Sequence, residues 1–496
     1  DRTHDHDHHD PEQDQHRDGN DANIADQFDP LNDPELDELA KEIEETIHEE
    51  YQLARIIRTG VAYHMGYLPT TIRLRIEELY KNDKIHTVFC TRTLLEGVNL
   101  PADNLFITSK KSGGHELNAV DFRNLVGRVG RIEFNLYGNV FLLCLKNQTK
   151  LAEFEKLVKE DIPSIQLSVS TSITPERKAE IVQKLSMGEI PVFEDVNERD
   201  LEQLALNSFA RKAVNMLVHD IVKGKKSRIV QEFQEYLTDG IKEQIREQFK
   251  SRAELLDDDI NTSVDQTKRL IMAIKNNDLR YPDVKDGYFR HDVVLEFLKK
   301  LSNVFQWKIY ESSTLGKDSL LSWYAVILCE WMEGNGLNYI MRAALKHHRE
   351  KPDDFWINRY TKGVYDDTSL IHRNIVFADT LEVIENVILF SISNYFLRFS
   401  NEFRRIKGDD ELDANNWYEY VEYGTTNPLT ILLQRNGFSR ESARFIKENP
   451  EYVVKDGSTG KLKLKASLSK CGRTSVENEV EYIRQNVPGI FVGEEE

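Results

Sequence analysis

Four short apolar runs set the strongest limit on the fold: "GVAYHM" from Gly60, "HTVFCT" from His86, "NLFITS" from Asn104 and "GNVFLLCL" from Gly138. Between them lie two stretches with helical spacing, "TTIRLRIEELYKND" from Thr70 and "NAVDFRNLVGRVGRI" from Asn118. Continuous apolar strands that alternate with helices predict a parallel sheet covered on both faces. The expected α/β domain spans about residues 31–150. Its first helical segment, "DPELDELAKEIEETIHEEYQLARIIRTG", reads as a helix punctuated by Pro34 and Gly60.

The flanks read differently. Residues 1–30 are almost devoid of apolar side chains and strongly acidic, so they cannot bury a core and are expected to be disordered. Histidines 4, 6, 8, 9 and 16 alternate with aspartates there, but no spacing fixes a metal geometry and no metal site is assigned. The net charge of −19 is concentrated in this end of the chain. Residues 1–50 hold 19 Asp/Glu against 3 Lys/Arg, whereas residues 51–150 hold 14 Lys/Arg against 8 Asp/Glu. The acidity therefore does not exclude an anionic partner for the α/β segment.

From 151 to 190 the sequence reads as a linker. From 191 to 440 long helical patterns dominate, as in "DLEQLALNSFARKAVNMLVHDIV" and "DTLEVIENVILFSISNYFLRFSNEFRRI". Residues 441–496 suggest a short capped helix and a hairpin, "YVVKDGSTGKLKLKASL". The expected fold is thus an α/β domain, a parallel sheet with flanking helices, followed by a large mainly α-helical region. The four cysteines are far apart and form no CxxC pair, which fits a reducing cytoplasm. The most apolar long segment carries Glu385, Asn386 and Asn394 and is too short and polar to span a bilayer, so no membrane partner is expected.

Two blocks carry chemistry. "TRTLLEGVNLPA" (Thr91 to Ala102) follows the second apolar run, and "NLVGRVGR" (Asn124 to Arg131) precedes the fourth. In open α/β sheets, ligands collect where loops leave the carboxyl ends of strands. Taken alone, two arginines after glycines are equally well a turn with solvated charges. The first block resembles motif V of superfamily 2 helicases and the second resembles their motif VI, QxxGRxGR. "GVAYHMGYLPTTIRLRIEELYKNDKI" also resembles the segment upstream of motif V in the Ski-like branch, where a strand ends in histidine and a helix carries R-x-x-IE.

This resemblance implies the second RecA-like domain of a DEAD/DEAH-type, nucleic-acid-dependent ATPase. It implies Arg131 as the arginine finger with Arg128 beside it, and close backbone approach at Gly127 and Gly130. Gly97 and Asn99 match positions near the nucleotide ribose, and Thr91 with Arg92 match contacts to a nucleic-acid strand. His64 is a candidate for strand contact; equally, it reads as a satisfied histidine at a strand end. The cofactors implied are ATP and Mg2+, the latter held mainly by another domain. The partners implied are single-stranded or partly duplex DNA or RNA and an effector protein, as in helicases of bacterial antiphage defence.

Two departures matter. Asn124 stands where motif VI usually has glutamine. No GKT or GKS loop and no DExH occurs in the sequence, so this chain alone is expected to be inactive and to be the carboxy-terminal part of a larger motor whose amino-terminal RecA-like half precedes Asp1. The rivals are a non-enzymatic adaptor that kept the fold, and an ATPase that remodels complexes without unwinding. In the helical region, Trp307, Tyr310, Trp323, Trp331, Trp356 and Tyr360 are able to stack bases, although at helical spacing such residues equally make a core.

Overall fold

The computed structural model describes residues 29–91, 102–109, 111–112, 115–129, 138–144, 151–160, 172–191, 201–250, 261–285, 287–358, 361–408, 412, 415–455 and 462–492. It separates into two compact units, residues 1–162 with 337–382 and residues 163–336 with 383–496. The acidic, histidine-rich segment up to Phe28 lies outside the described residues.

In the first unit, helix α1 (Pro34–Thr46) starts on Asp33, whose carboxylate accepts from the Glu35 and Leu36 amides, with Pro34 at the first turn. Its buried face is Leu36, Leu39, Ala40 and Ile43, the three-to-four spacing seen in the sequence. The single helix expected up to Gly60 is instead two. Helix α2 (Gln52–Ile57) begins after a break in which His48 Nδ1 accepts from the Glu50 amide. Asn374 completes the break: its Oδ1 accepts from Gln52 N at 2.8 Å and its Nδ2 donates to Glu50 O at 3.0 Å. Arg373 adds an ion pair to Glu50 at 2.7 Å. A partner more than three hundred residues away satisfies amides that a continuous helix would have used internally.

All four apolar runs form strands. Strand β1 (Val61–His64) pairs in parallel with β2 (Thr87–Cys90), in the register Val61↔Thr87 to His64↔Cys90. Strand β3 (Asn104–Ile107) pairs in parallel with the strand Asn139–Leu142. Helix α3 (Thr70–Lys81) connects β1 to β2 and buries Ile72, Ile76 and Leu79. Helix α4 (Ala119–Val126) lies between β3 and the last strand and buries Ala119 and Phe122. Among the described residues the two pairs do not join into one ladder. The expected cover on both faces is also incomplete there: Phe89, Phe106 and Phe141 are exposed while their neighbours along each strand turn inward. A small core of Ile107, Leu117, Phe122, Phe154 and Leu157 sits beneath the second pair. Leu337–Glu350 and Leu370–Glu382 are helices of this unit.

The second unit is helical, as expected. One core gathers residues of Pro175–Ser186, Leu201–Lys223, Arg228–Glu232 and Asp239–Lys250, with Phe233 and Phe249 fully buried. Another centres on Tyr281, Phe297, Phe396, Phe399 and Trp417, rings 4.7–6.3 Å apart. Within the span read as a linker, Leu151–Lys159 and Pro175–Ser186 are helices. The apolar segment near 390 forms a π-helical stretch, Val383–Ile392, leading into Ser393–Lys407. The capped short helix is Arg440–Glu448, with Ser439 accepting from Ser442 N, and the hairpin pairs Val453–Lys455 with Leu462–Leu464. No helix among the described residues is long and apolar enough to cross a membrane.

Candidate functional site

The parallel register puts His64 and Cys90 side by side at the carboxyl ends of β1 and β2. Thr91 follows immediately and is exposed. His64 is 1% exposed, and its Nε2 lies 3.2 Å from Glu77 Oε1 on α3. Helical spacing explains that contact, because Ile76 faces the core and the next residue is carried to the edge of the same face. Glu77 is the acidic residue of the R-x-x-IE pattern. The sequence marked it as part of a motif, and only the strand register shows what it touches. A carboxylate on one ring nitrogen fixes the ring's orientation.

Arg128 reaches the same edge from another direction. Helix α4 ends at Gly127, and Arg128 and Val129 continue as a turn bonded to Leu125 and Val126 carbonyls. The chain then meets the segment entering β3: Ala102 N donates to Arg128 O at 3.3 Å, and Ala102 pairs with Val129. Burial pushes the Cys90 thiol up to about 11, opposed by the positive charge of Arg128 nearby. Arg128, which is half-buried, is thus near enough to the end of β2 for its charge to act on Cys90. Gly127 itself has a φ of −66°, a right-handed value open to any residue, and is exposed. Arg123, the first of the three arginines in this stretch, is used elsewhere: its Nη2 donates to Glu160 O at 2.7 Å, at the carboxyl end of Leu151–Lys159.

His64, Thr91 and Arg128 are therefore collected at one strand edge. Arg92, Gly97, Asn99, Gly130 and Arg131 lie outside the described residues. A guanidinium at a strand end with an exposed glycine beside it suits a polyphosphate, since both charge and backbone approach are available. Among the described residues no group of three or more metal-ligating side chains is present.

Similarity to known proteins falls on part of the chain. It is 30% identical over 184 residues to activating signal cointegrator 1 complex subunit 3 of Dictyostelium discoideum, covering 36% of this chain and 8% of that protein. It is 32% identical over 96 residues to the ATP-dependent DNA helicase Hel308 of Aeropyrum pernix, covering 18% of this chain and 13% of the relative. It is 26% identical over 114 residues to anti-bacteriophage protein B of Escherichia coli, covering 23% and 15%. The chain thus spans only a small fraction of the length of these relatives. No protein-family profile matches it. Over the matched stretches the chain is similar to proteins named as helicases.

Proposed function

We propose that the chain is the carboxy-terminal part of an ATP-dependent nucleic-acid helicase or translocase, in which residues 31–150 act as the second RecA-like domain. The observation that carries this reading is the gathering of His64, Thr91 and Arg128, residues of three separate sequence blocks, at the carboxyl end of one parallel strand pair. Partial similarity to proteins named as helicases supports it.

In this reading ATP supplies the phosphoanhydride whose cleavage drives movement along a strand. Arg131 and Arg128 present guanidinium groups to the terminal phosphate and stabilise the charge that develops there. Gly97, Asn99, Gly127 and Gly130 complete the nucleotide contacts on this side. Thr91 and Arg92 hold a backbone phosphate of the strand, and His64, oriented by Glu77, links strand contact to the arginine edge. Contacts of this kind read the backbone rather than the bases. The polymer is DNA or RNA. An effector protein partner follows from the antiphage resemblance and is proposed on that basis alone.

The test is ATP hydrolysis by the full-length parent protein, with and without single-stranded DNA or RNA, for wild type and Arg131→Ala. Stimulation by nucleic acid and a loss of roughly a thousandfold in the variant, the scale arginine fingers supply, is the expected result. Absence of hydrolysis, or an unaffected variant, replaces the motor with the adaptor.

A further inference from the structure

The second unit holds a cavity of about 490 Å3, a size suited to a small organic ligand. Its lining is the reverse of a core. The helix Leu201–Lys223 contributes Ser208, Arg211, Lys212 and Asn215, spaced three or four apart, while Ala213, Val214 and Leu217 of the same helix are buried in the neighbouring core. The helix Ser393–Lys407 contributes Asn394, Arg398 and Asn401 at the same spacing. Two polar stripes thus face one internal space.

The floor is built rather than accidental. Arg211 Nη2 donates to Tyr310 O at 3.3 Å, and its guanidinium lies over the Tyr310 ring, 5.6 Å from the centroid. Glu311 accepts from the Tyr395 hydroxyl at 2.9 Å and from Thr314 Oγ1 at 3.3 Å. Burial raises the pKa of its carboxyl, against the charges of Arg211 and Lys212. Arg398 is 8% exposed and donates to Thr267 at 3.1 Å. Phe390, 65% exposed, stands at the rim on the π-helical stretch Val383–Ile392. Such stretches strain the helical ladder and are frequent at functional sites.

Two cations, Arg211 and Lys212, act on the Glu311 carboxyl group, Arg398 is paired with Glu402 at 3.4 Å, and aromatic side chains stand beside them with amides between. That combination selects a phosphate ester that carries a planar ring. We propose that this cavity binds a free mononucleotide, with its phosphate held by Arg211 and Lys212 and its base stacked at Phe390. Every lining residue belongs to the second unit. The proposal does not rest on the motor reading.

The experiment is isothermal titration of the full chain with AMP, UMP, inorganic phosphate and oligothymidylate. One mononucleotide is expected to bind saturably at one site per chain. Arg211→Gln and Lys212→Gln are each expected to weaken it about tenfold or more, the loss of one charge-assisted contact. Phe390→Ala is expected to weaken the mononucleotide while leaving inorganic phosphate unchanged. Phe390 and Asn401 are exposed, so Phe390→Ala and Asn401→Asp keep the test sound if Arg211→Gln fails to fold; the added carboxylate of Asn401→Asp is expected to repel the ligand. Failure of both mononucleotides to bind, binding that all four variants leave intact, or binding of oligothymidylate alone would overturn the assignment.

Discussion

Two groups of aromatic residues, one at the centre of the second unit and one on the strands of the first, are placed in opposite ways. In the second, Tyr281, Phe297, Phe396, Phe399 and Trp417 close around one another, all buried. In the first, Phe89, Phe106 and Phe141 stand exposed on strands whose other face packs inward, with the Phe106 and Phe141 rings stacked at 4.7 Å. The contrast separates two jobs. In the helical unit the large apolar side chains supply stability. In the first unit the strands hold His64 and Thr91 at one edge, and part of their apolar surface is not used for packing among the described residues.

Substitutions measure that difference. Phe297→Ala removes a ring 2% exposed from the centre of the aromatic group and is expected to cost about 3–5 kcal/mol in urea denaturation. A cost no greater than that of a surface change would break the comparison. Tyr281→Phe keeps the ring but deletes a buried hydroxyl bonded to Ser400 at 2.9 Å and Phe396 O at 3.2 Å. Losing the one hydroxyl that bonds both groups is expected to cost about 1–3 kcal/mol by the same assay. Phe106→Ser, by contrast, touches only an exposed pair, so at most about 1 kcal/mol is expected. A larger loss would show that the exposed row is packed after all.

The smallest effect is a pH dependence. Burial raises the pKa of Glu311, so the folded chain keeps this proton to higher pH than the unfolded chain does. Stability contributed by this group is therefore present below the ordinary glutamate value and falls as pH rises from there towards the raised value. Glu311→Gln is expected to flatten that fall in thermal midpoints recorded from about pH 4 to 7. An unchanged slope would mean that the carboxyl group is better solvated than its surroundings indicate.

Much of this was legible in the chain itself. The four apolar runs became strands because each is long enough for one strand and bounded by residues that end it. Leu36, Leu39 and Ile43 became a buried helix face because their spacing allows nothing else. Trp307 and Trp331 proved to be core, whereas Trp356 is exposed and Tyr310 lines the cavity. What was not legible depended on distant partners. The break before Gln52 is made by Asn374, and no window of local sequence contains both. Glu77 was visible within R-x-x-IE, yet its contact with His64 requires the strand register. The stripe Ser208, Arg211, Lys212 and Asn215 was in plain view, but polar residues at helical spacing ordinarily mark a face turned to water. Nothing local says that this one turns inward.

The tie between Gln52 and Asn374 also bears on how the protein is made. The two residues are 322 positions apart. At about 5–20 residues per second, a ribosome delivers the carboxamide on the order of tens of seconds after the amide it must meet. During that interval the first helices and strands have left the exit tunnel without the segment that closes them. A nascent chain halted before residue 370 would hold every residue of the strand edge and still lack the clasp that shapes its beginning, so chaperone protection is expected to matter most in that window.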